Sequence, residues 1–373
     1  MDKIRVLFIV PKANRAGGVA KVLSMRANYF CREFGYEVGI LTQNEGHENP
    51  FFAFDSRISF FDIKLKKNLF FIFHYKKQVE KIQNQFKPDV ILLLDNGLKA
   101  FLFPFFIKKI CPVVFEIHAS KWVVEFAIQN YVSKIKYSFQ QFIRNFGIRK
   151  HDNIVYLSKL SEKEWNKKGE IISNPIVLSD HITNVNQKRV LCITRNSYEK
   201  GVDRLLEIWS QIESEFLDWS LYIFIENEGY FNLESLKNKF NTQRVVFNVP
   251  TLDVEKEYLS SSIFAMTSRQ EGMPMVLLEA SNYGVPIIAY DCPVGPASIL
   301  TKQNGILIEN NNSKVFVENL SHLMSTNDLR DTLSKQAKES SKQYDINRVA
   351  LKWKVYLESL IDKQNVPNLY KSK

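Results

Sequence analysis

The feature that most constrains this chain is an alternation, run through twice, of short apolar strands and longer helical stretches. It begins at Ile4–Val10, a continuous apolar run of the kind buried on both faces of a parallel sheet, stopped by Pro11. Gly17-Gly18 then opens a helical stretch to about Phe34, followed by a strand at Glu37–Thr42. Strands Ile58–Asp62, Asp89–Leu94, Pro112–Ile117 and Asn153–Leu157 follow, separated by helices Leu69–Phe86, Leu98–Lys109 (kinked by Pro104) and near Tyr131–Lys150. After Ser173-Asn174-Pro175 the series restarts with strands Arg189–Thr194, Trp219–Ile225, Arg244–Phe247, Ile263–Met266, Pro286–Tyr290 and Gly305–Ile308. Helices Val202–Phe216, Leu233–Phe240, Val254–Ser260 and Pro274–Tyr283 lie between them, and the remainder is mostly helical to about Ile361. This pattern predicts an α/β chain of two doubly wound, Rossmann-like domains facing each other across a cleft. The expected divisions are 1–172, 173–340 and a closing helical segment 341–373. In open sheets of this type the ligand sits at the carboxyl ends of the strands.

With 45% hydrophobic residues, 14 Gly and 12 Pro, the chain is neither disordered nor collagen-like. Its four cysteines, Cys31, Cys111, Cys192 and Cys292, form no Cys-x-x-Cys pair, so neither a zinc site nor a disulfide framework is indicated and a reducing compartment is the simplest home. The start, MDKIRVLFIVPK, reads as a buried strand and not as a signal peptide. The longest apolar run of the aromatic-rich region, Ala100–Ile107, is far below the roughly 18–20 residues that span a bilayer. The expected location is the cytoplasm, with a peripheral position at the inner face of the plasma membrane. That second expectation comes from charge. The chain carries +10, and residues 64–150 hold 16 Lys or Arg against 5 Asp or Glu. The same window contains LFFIFHY (69–75) and LKAFLFPFFIKKI (98–110). Interleaved lysines and phenylalanines suit an anionic membrane surface, although the same residues also read as core rings and ordinary solvated lysines. No RNP-like or helix-turn-helix signature points to nucleic acid.

The chemistry concentrates in Ser268-Arg269-Gln270-Glu271-Gly272-Met273-Pro274-Met275-Val276-Leu277-Leu278-Glu279-Ala280. Pro274 suits the first helical position, which places Glu271 in the loop before the helix and Glu279 about one and a half turns inside it. The amide groups and positive dipole end near residues 272–275 form an anion site. A carboxylate on each side of it can accept hydroxyls of a sugar or ribose. Arg195 follows the strand Leu191-Cys192-Ile193-Thr194, and Lys200-Gly201 follow five residues later. Two such cations at a strand's carboxyl end can neutralise a diphosphate, though either can also be an ordinary loop charge.

At these residues the chain resembles GT-B-fold retaining glycosyltransferases, specifically glycosyltransferase family 4. Glu271 and Glu279 match the family's E-x7-E motif, and Arg195 and Lys200 match its paired phosphate-binding cations. Gly17-Gly18 matches its donor-side glycine pair, His118 in Phe115-Glu116-Ile117-His118 its amino-terminal histidine, and Asp291–Pro296 with Asn304-Gly305 a segment of bacterial enzymes building capsule, exopolysaccharide or lipopolysaccharide. The resemblance implies retaining transfer of a sugar from a nucleotide diphosphate sugar, UDP-hexose or UDP-N-acetylhexosamine, to a growing surface polysaccharide or lipid-linked glycan. It further implies that Glu279 binds ribose hydroxyls and Glu271 those of the donor sugar. Arg195 and Lys200 would stabilise the departing diphosphate. Gly17, Gly18 and the backbone of Gly272, Met273, Pro274 and Met275 would line the donor, and His118 would contact its sugar or polarise the reaction centre. Residues 1–172 would be the acceptor side, 173–340 the nucleotide-sugar domain, and 341–373 a helix returning to the first domain with Trp353 and Tyr356 as packing anchors. No Asp-x-Asp manganese anchor occurs, so transfer without metal or cofactor is expected. The base-facing loops depart from the family: Thr194 replaces a glycine, Asn227 in Glu226-Asn227-Glu228-Gly229 replaces another, and Phe247-Asn248-Val249 lacks a third.

Other classes fare worse. The loop Pro11–Gly18 lacks the Gly-x-Gly-x-x-Gly spacing of a nicotinamide-dependent oxidoreductase. No lysine anchor for pyridoxal phosphate, as in a glycan phosphorylase, is seen. A non-catalytic nucleotide-sugar-binding or scaffold subunit is the alternative, against which the intact Arg195, Lys200, Glu271 and Glu279 set argues. Glu116 reads as structural, with Glu125 near it in sequence, and Asp95-Asn96-Gly97 as an acceptor contact or a helix cap.

Overall fold

The computed structural model describes residues 3–46, 50–66, 70–122 and 131–365. Leu69, which opens the first aromatic motif, and Glu125 lie outside the described residues. The described residues divide into two compact units. One takes those within Met1–Ala119, Ala127–Pro175 and Ile346–Lys373; the other takes those within Ser120–Phe126 and Ile176–Asp345.

In unit one, β1 (Arg5–Ile9), α1 (Gly18–Arg32), β2 (Glu37–Gln43) and β3 (Ser59–Ile63) are followed by α2 (Phe71–Phe86), β4 (Val90–Leu93), α3 (Leu98–Phe101) and α4 (Phe103–Phe106). Then come β5 (Val113–Ile117), α5 (Tyr131–Ile148), β6 (Asn153–Tyr156), α6 (Lys159–Trp165) and β7 (Glu170–Ile171). The sheet runs β3-β2-β1-β4-β5-β6-β7, and the pairings are parallel. Successive residues of β1 feed opposite layers. Val6 and Phe8 enter the core beneath α1, while Leu7 and Ile9 enter the core beneath α2, α3 and α6. This two-sided burial is why β1 and β4 read as unbroken apolar runs. The single helix expected over Leu98–Lys109 is two short ones. Pro104 sits in the first turn of α4, where its missing N–H costs no helical bond.

Unit two contains β8 (Arg189–Ile193), α7 (Val202–Ile212), β9 (Ser220–Phe224), α8 (Leu233–Phe240), β10 (Val245–Asn248), α9 (Val254–Leu259), β11 (Ile263–Met266) and α10 (Met275–Asn282). It ends with β12 (Ile287–Asp291), β13 (Ile306–Glu309), α11 (Ser313–Ser325) and α12 (Asn327–Ser341). Its sheet runs β10-β9-β8-β11-β12-β13 and is parallel throughout. Trp209 of α7 and Trp219 anchor one layer of its core, and the buried Arg330 guanidinium caps the end of α11 through the Leu323 and Met324 carbonyls (2.5 and 2.9 Å). Finally α13 (Ile346–Asn365) rejoins unit one, where Val349, Ala350, Trp353 and Leu357 complete the layer beneath α1.

Unit one also contains a buried histidine. The His151 ring stacks on Phe115 (centroids 4.3 Å apart), and its Nε2 donates to the Ala100 carbonyl at 3.0 Å. Burial lowers its pKa from 6.5 to about 4. Between these values the unfolded chain binds a proton that the folded chain does not, so stability falls as pH falls through that window, by up to about 3 kcal/mol. Denaturant unfolding at about pH 7 and about pH 4.5 is expected to show a larger acid loss in the native protein than in His151→Gln; equal losses would refute this role.

Candidate functional site

In unit two, the strand order reverses between β8 and β11, which places a crevice at their carboxyl ends. Arg195 and Lys200 leave β8 there, and Ser268–Glu271 leave β11. The structure brings Lys200 and Glu271 together. The ammonium donates to both carboxylate oxygens at 2.7 and 2.8 Å, and Ser268 Oγ donates to the same carboxylate at 2.7 Å. Both side chains are largely screened from solvent. The two loops are joined by more than charge. Gly201 has φ +64, and a Cβ there would lie 2.2 Å from the Thr267 carbonyl oxygen, so only glycine allows the approach. Thr267 Oγ1 donates to the Gly201 carbonyl (2.8 Å).

Arg269, which sequence reasoning did not assign, completes the joint. It forks onto Asp203 (2.8 and 2.6 Å), donates to the Tyr198 carbonyl (2.8 Å) and stacks on the Tyr198 ring at 4.0 Å. Its position beside Glu271 in the motif was the only signal for it; the Asp203 partner lies 66 residues away.

The other assigned residues of unit two make separate contacts. Arg195 projects to solvent and pairs with Glu199 at 3.3 Å. Pro274 is the N-cap of α10 and not its first helical residue, because its ψ of 112 keeps it extended; Met275 starts the helix. Glu279 is buried on α10 and accepts a hydrogen bond from the Tyr258 hydroxyl at 2.9 Å. Burial and then this carboxylate push the Tyr258 pKa well up, so Tyr258 remains a donor. Gly272 is half-buried, whereas Met273, Pro274 and Met275 are buried. Burial also pushes the Cys192 thiol up to about 12, which keeps this neighbour of the pair protonated and unreactive.

Unit one carries the other assigned residues. Gly17 precedes α1 in extended backbone, and a Cβ built on it meets nothing within 4 Å, so the entry to α1 at Gly17-Gly18 borders open space. The loop before it is tied down by buried Glu45, which accepts from the Ala13 and Asn14 amides (2.8 and 3.0 Å). His118 follows β5. Its amide donates to Asn96 Oδ1 (2.8 Å), and its Nε2 meets Glu116 at 3.1 Å. Asp95, in contrast, serves the local turn, accepting from the Gly97 amide at 2.8 Å and pairing with Lys99. Behind His118, Glu116 pairs with Arg26 at 2.9 Å, both fully buried, and the Arg26 guanidinium lies 4.6 Å from the Trp353 ring and 5.6 Å from that of Phe8. Burial alone would raise the Glu116 pKa; Arg26 and His118 outweigh it and hold the carboxyl ionised.

Two parallel, doubly wound sheets of seven and six strands match the GT-B fold. Residues 178–340 match the family described as Glycosyl transferases group 1. AmsD of Erwinia amylovora, an amylovoran biosynthesis glycosyltransferase, is 26% identical over 94% of this chain and 98% of its own length. A sucrose-phosphate synthase from Thermosynechococcus elongatus superposes with a TM-score of 0.81 at 14% identity, covering 97% of this chain and all of its own. Anabaena Alr3699/HepE, solved with UDP and glucose, gives 0.72 at 16% identity, covering 96% of this chain and all of its own. Residues 178–340 are thus of the group 1 glycosyltransferase type, and over nearly its whole length the chain is similar to AmsD.

Because Glu116 compensates a buried cation, Glu116→Gln is expected to cost about 3–5 kcal/mol in denaturant unfolding, and the double variant Arg26→Met/Glu116→Gln distinctly less. A single variant as stable as the native chain would show that the pair does not hold this layer together.

Proposed function

We propose that the protein is a retaining glycosyltransferase moving a sugar, a hexose or N-acetylhexosamine, from a UDP-sugar to a growing surface-polysaccharide or lipid-linked glycan. The observation that carries this reading is the Lys200–Glu271 fork at the carboxyl ends of β8 and β11, beside the start of α10. It is supported by AmsD, whose name assigns it to amylovoran biosynthesis, and by HepE, which was solved with UDP and glucose. Lys200 and Arg195 meet the donor diphosphate, and Glu279 accepts the ribose hydroxyls. Glu271 accepts hydroxyls of the transferred sugar, with the backbone of Gly272, Met273, Pro274 and Met275 alongside.

The physics of the step follows from where charge moves. As the glycosidic bond breaks, negative charge accumulates on the departing diphosphate. A fixed cation therefore favours the transition state over the bound donor. Lys200 is suited to this because Glu271 and the Gly201 turn hold it in place before the donor arrives. Arg195 is mobile enough to reach a phosphate, since its partner Glu199 is a partly exposed surface carboxylate.

Thermal-shift screening against a panel of nucleotide sugars is expected to show stabilisation by UDP-sugars, followed by turnover with the best donor. Lys200→Ala is then expected to lower kcat by about 10²–10³; unchanged kcat would remove Lys200 from the diphosphate. Turnover is also expected to survive EDTA, because the cations here are side chains. Complete loss on chelation, restored by Mn²⁺, would overturn that assignment.

A further inference from the structure

In unit one, α5 is built inside out. A helix on a water-exposed surface buries its apolar stripe and shows its polar one. In α5 the buried residues include Gln141 and Arg144, whereas Val132, Ile135, Phe139, Phe142 and Phe146 recur every three or four residues and face outward. Phe139 and Phe142 are 63% and 66% exposed. Arg144 is turned inward, donating to the Asn96 carbonyl at 3.2 Å and lying 5.4 Å from the Phe101 ring. The charge is thus hidden and the rings are shown.

The apolar face does not stop at α5. Phe142 and Phe146 lie parallel (centroids 6.3 Å), and Phe146 stacks on exposed Phe105 of α4 at 5.2 Å. The neighbouring Phe106 meets Tyr75 of α2 at 6.0 Å, and α2 in turn exposes Ile72 and Phe73. The helices α2, α4 and α5 all belong to the layer on one side of the sheet. Of the same helices, α2 and α5 expose lysines. Lys134 and Lys136 are exposed on α5, which contains no acidic residue, and Lys77 and Lys81 are exposed on α2.

We propose that this face of α2, α4 and α5 rests on the surface of an anionic lipid bilayer, with the phenylalanine rings at the level of the headgroups and the lysines among the lipid phosphates. Charge selects this occupant over a second copy of the chain. Two such faces would bring like charges together around the seam, whereas anionic lipid complements the cations and gives the rings an apolar phase to enter. The protein lies on the bilayer through this face; among the described residues no helix is long and apolar enough to cross one. This inference stands apart from the sugar-transfer reading, since none of these residues belongs to the donor site.

The test is co-sedimentation of the full chain at low salt with vesicles of phosphatidylglycerol and phosphatidylcholine, and with phosphatidylcholine alone. Alongside it, Phe139→Glu/Phe142→Glu is measured after circular dichroism and turnover have shown it folded and active. The native protein is expected to sediment with the anionic vesicles and not the neutral ones, and the double variant to bind at least about tenfold more weakly. No binding to anionic vesicles, or binding that the variant leaves unchanged, overturns the proposal. So does a native dimer in sedimentation velocity that the variant abolishes without any vesicle binding, which would make the occupant a second copy.

Discussion

The ion pair between Lys200 and Glu271 joins loops that leave neighbouring strands, and the site in unit two depends on that joint. A carboxylate shielded from water is costly unless its oxygens are satisfied. Lys200 and Ser268 meet that requirement while offsetting the desolvation of the ammonium. The pair is held by the backbone beneath it: the left-handed Gly201 against Thr267, and Arg269 spanning Tyr198 and Asp203. An anion arriving at Lys200 consequently meets a cation already positioned, and it must share that cation with Glu271. On the proposed donor reading, a phosphate at Lys200 would compete with the Glu271 carboxylate, and the doubly charged group has the electrostatic advantage.

Unit one solves a related problem differently. His118 is positioned from two sides, by Asn96 on its backbone and Glu116 on its ring. Glu116 stays ionised inside the protein because Arg26 lies against it, and Arg26 is flanked by Trp353 of the returning helix α13. The last helix of the chain therefore touches the support of a residue at the end of β5. Removing α13 would expose Arg26 and weaken the compensation of Glu116, so the placement of His118 depends on a segment more than 200 residues away in sequence.

Much of this was legible in the sequence wherever a local rule set the outcome. Strands buried on both faces, such as β1, β4 and β11, show as continuous apolar runs, and their alternation with helices specifies the parallel sheets. The E-x7-E spacing located Glu271 before α10 and Glu279 within it, with an error of one residue at Pro274. Short elements were lost: α6 and β7 carry too few residues for a period to emerge. The supports of the sites were not legible either, because their partners are distant. Arg26 and Glu116 are 90 residues apart, and Ala13 and Glu45 are 32 apart. The aromatic residues of α5 were the least legible, since a helical period of phenylalanines is the same whether the stripe faces a core or an apolar phase outside. Only the inward turn of Arg144 separates the two.

Backbone strain gives a further reason to place function at Glu271. Val294 has φ 71, a conformation that a β-branched residue adopts at a cost of about 1–3 kcal/mol. It persists because its surroundings over-determine it. Val294 bridges to Glu271 in parallel fashion, the Gly295 amide bonds back to the Pro293 carbonyl at 2.9 Å, and a Cβ on Gly295 would lie only 2.3 Å from Glu271 Cβ. The segment after β12 is thereby pressed against the same glutamate whose carboxylate holds Lys200. Stability alone would favour glycine at 294 or a looser turn. Retaining the strain fixes the Glu271 backbone from one side while Lys200 and Ser268 fix its carboxylate from the other. The entropy of ordering that side chain is therefore lost during folding, before any ligand binds.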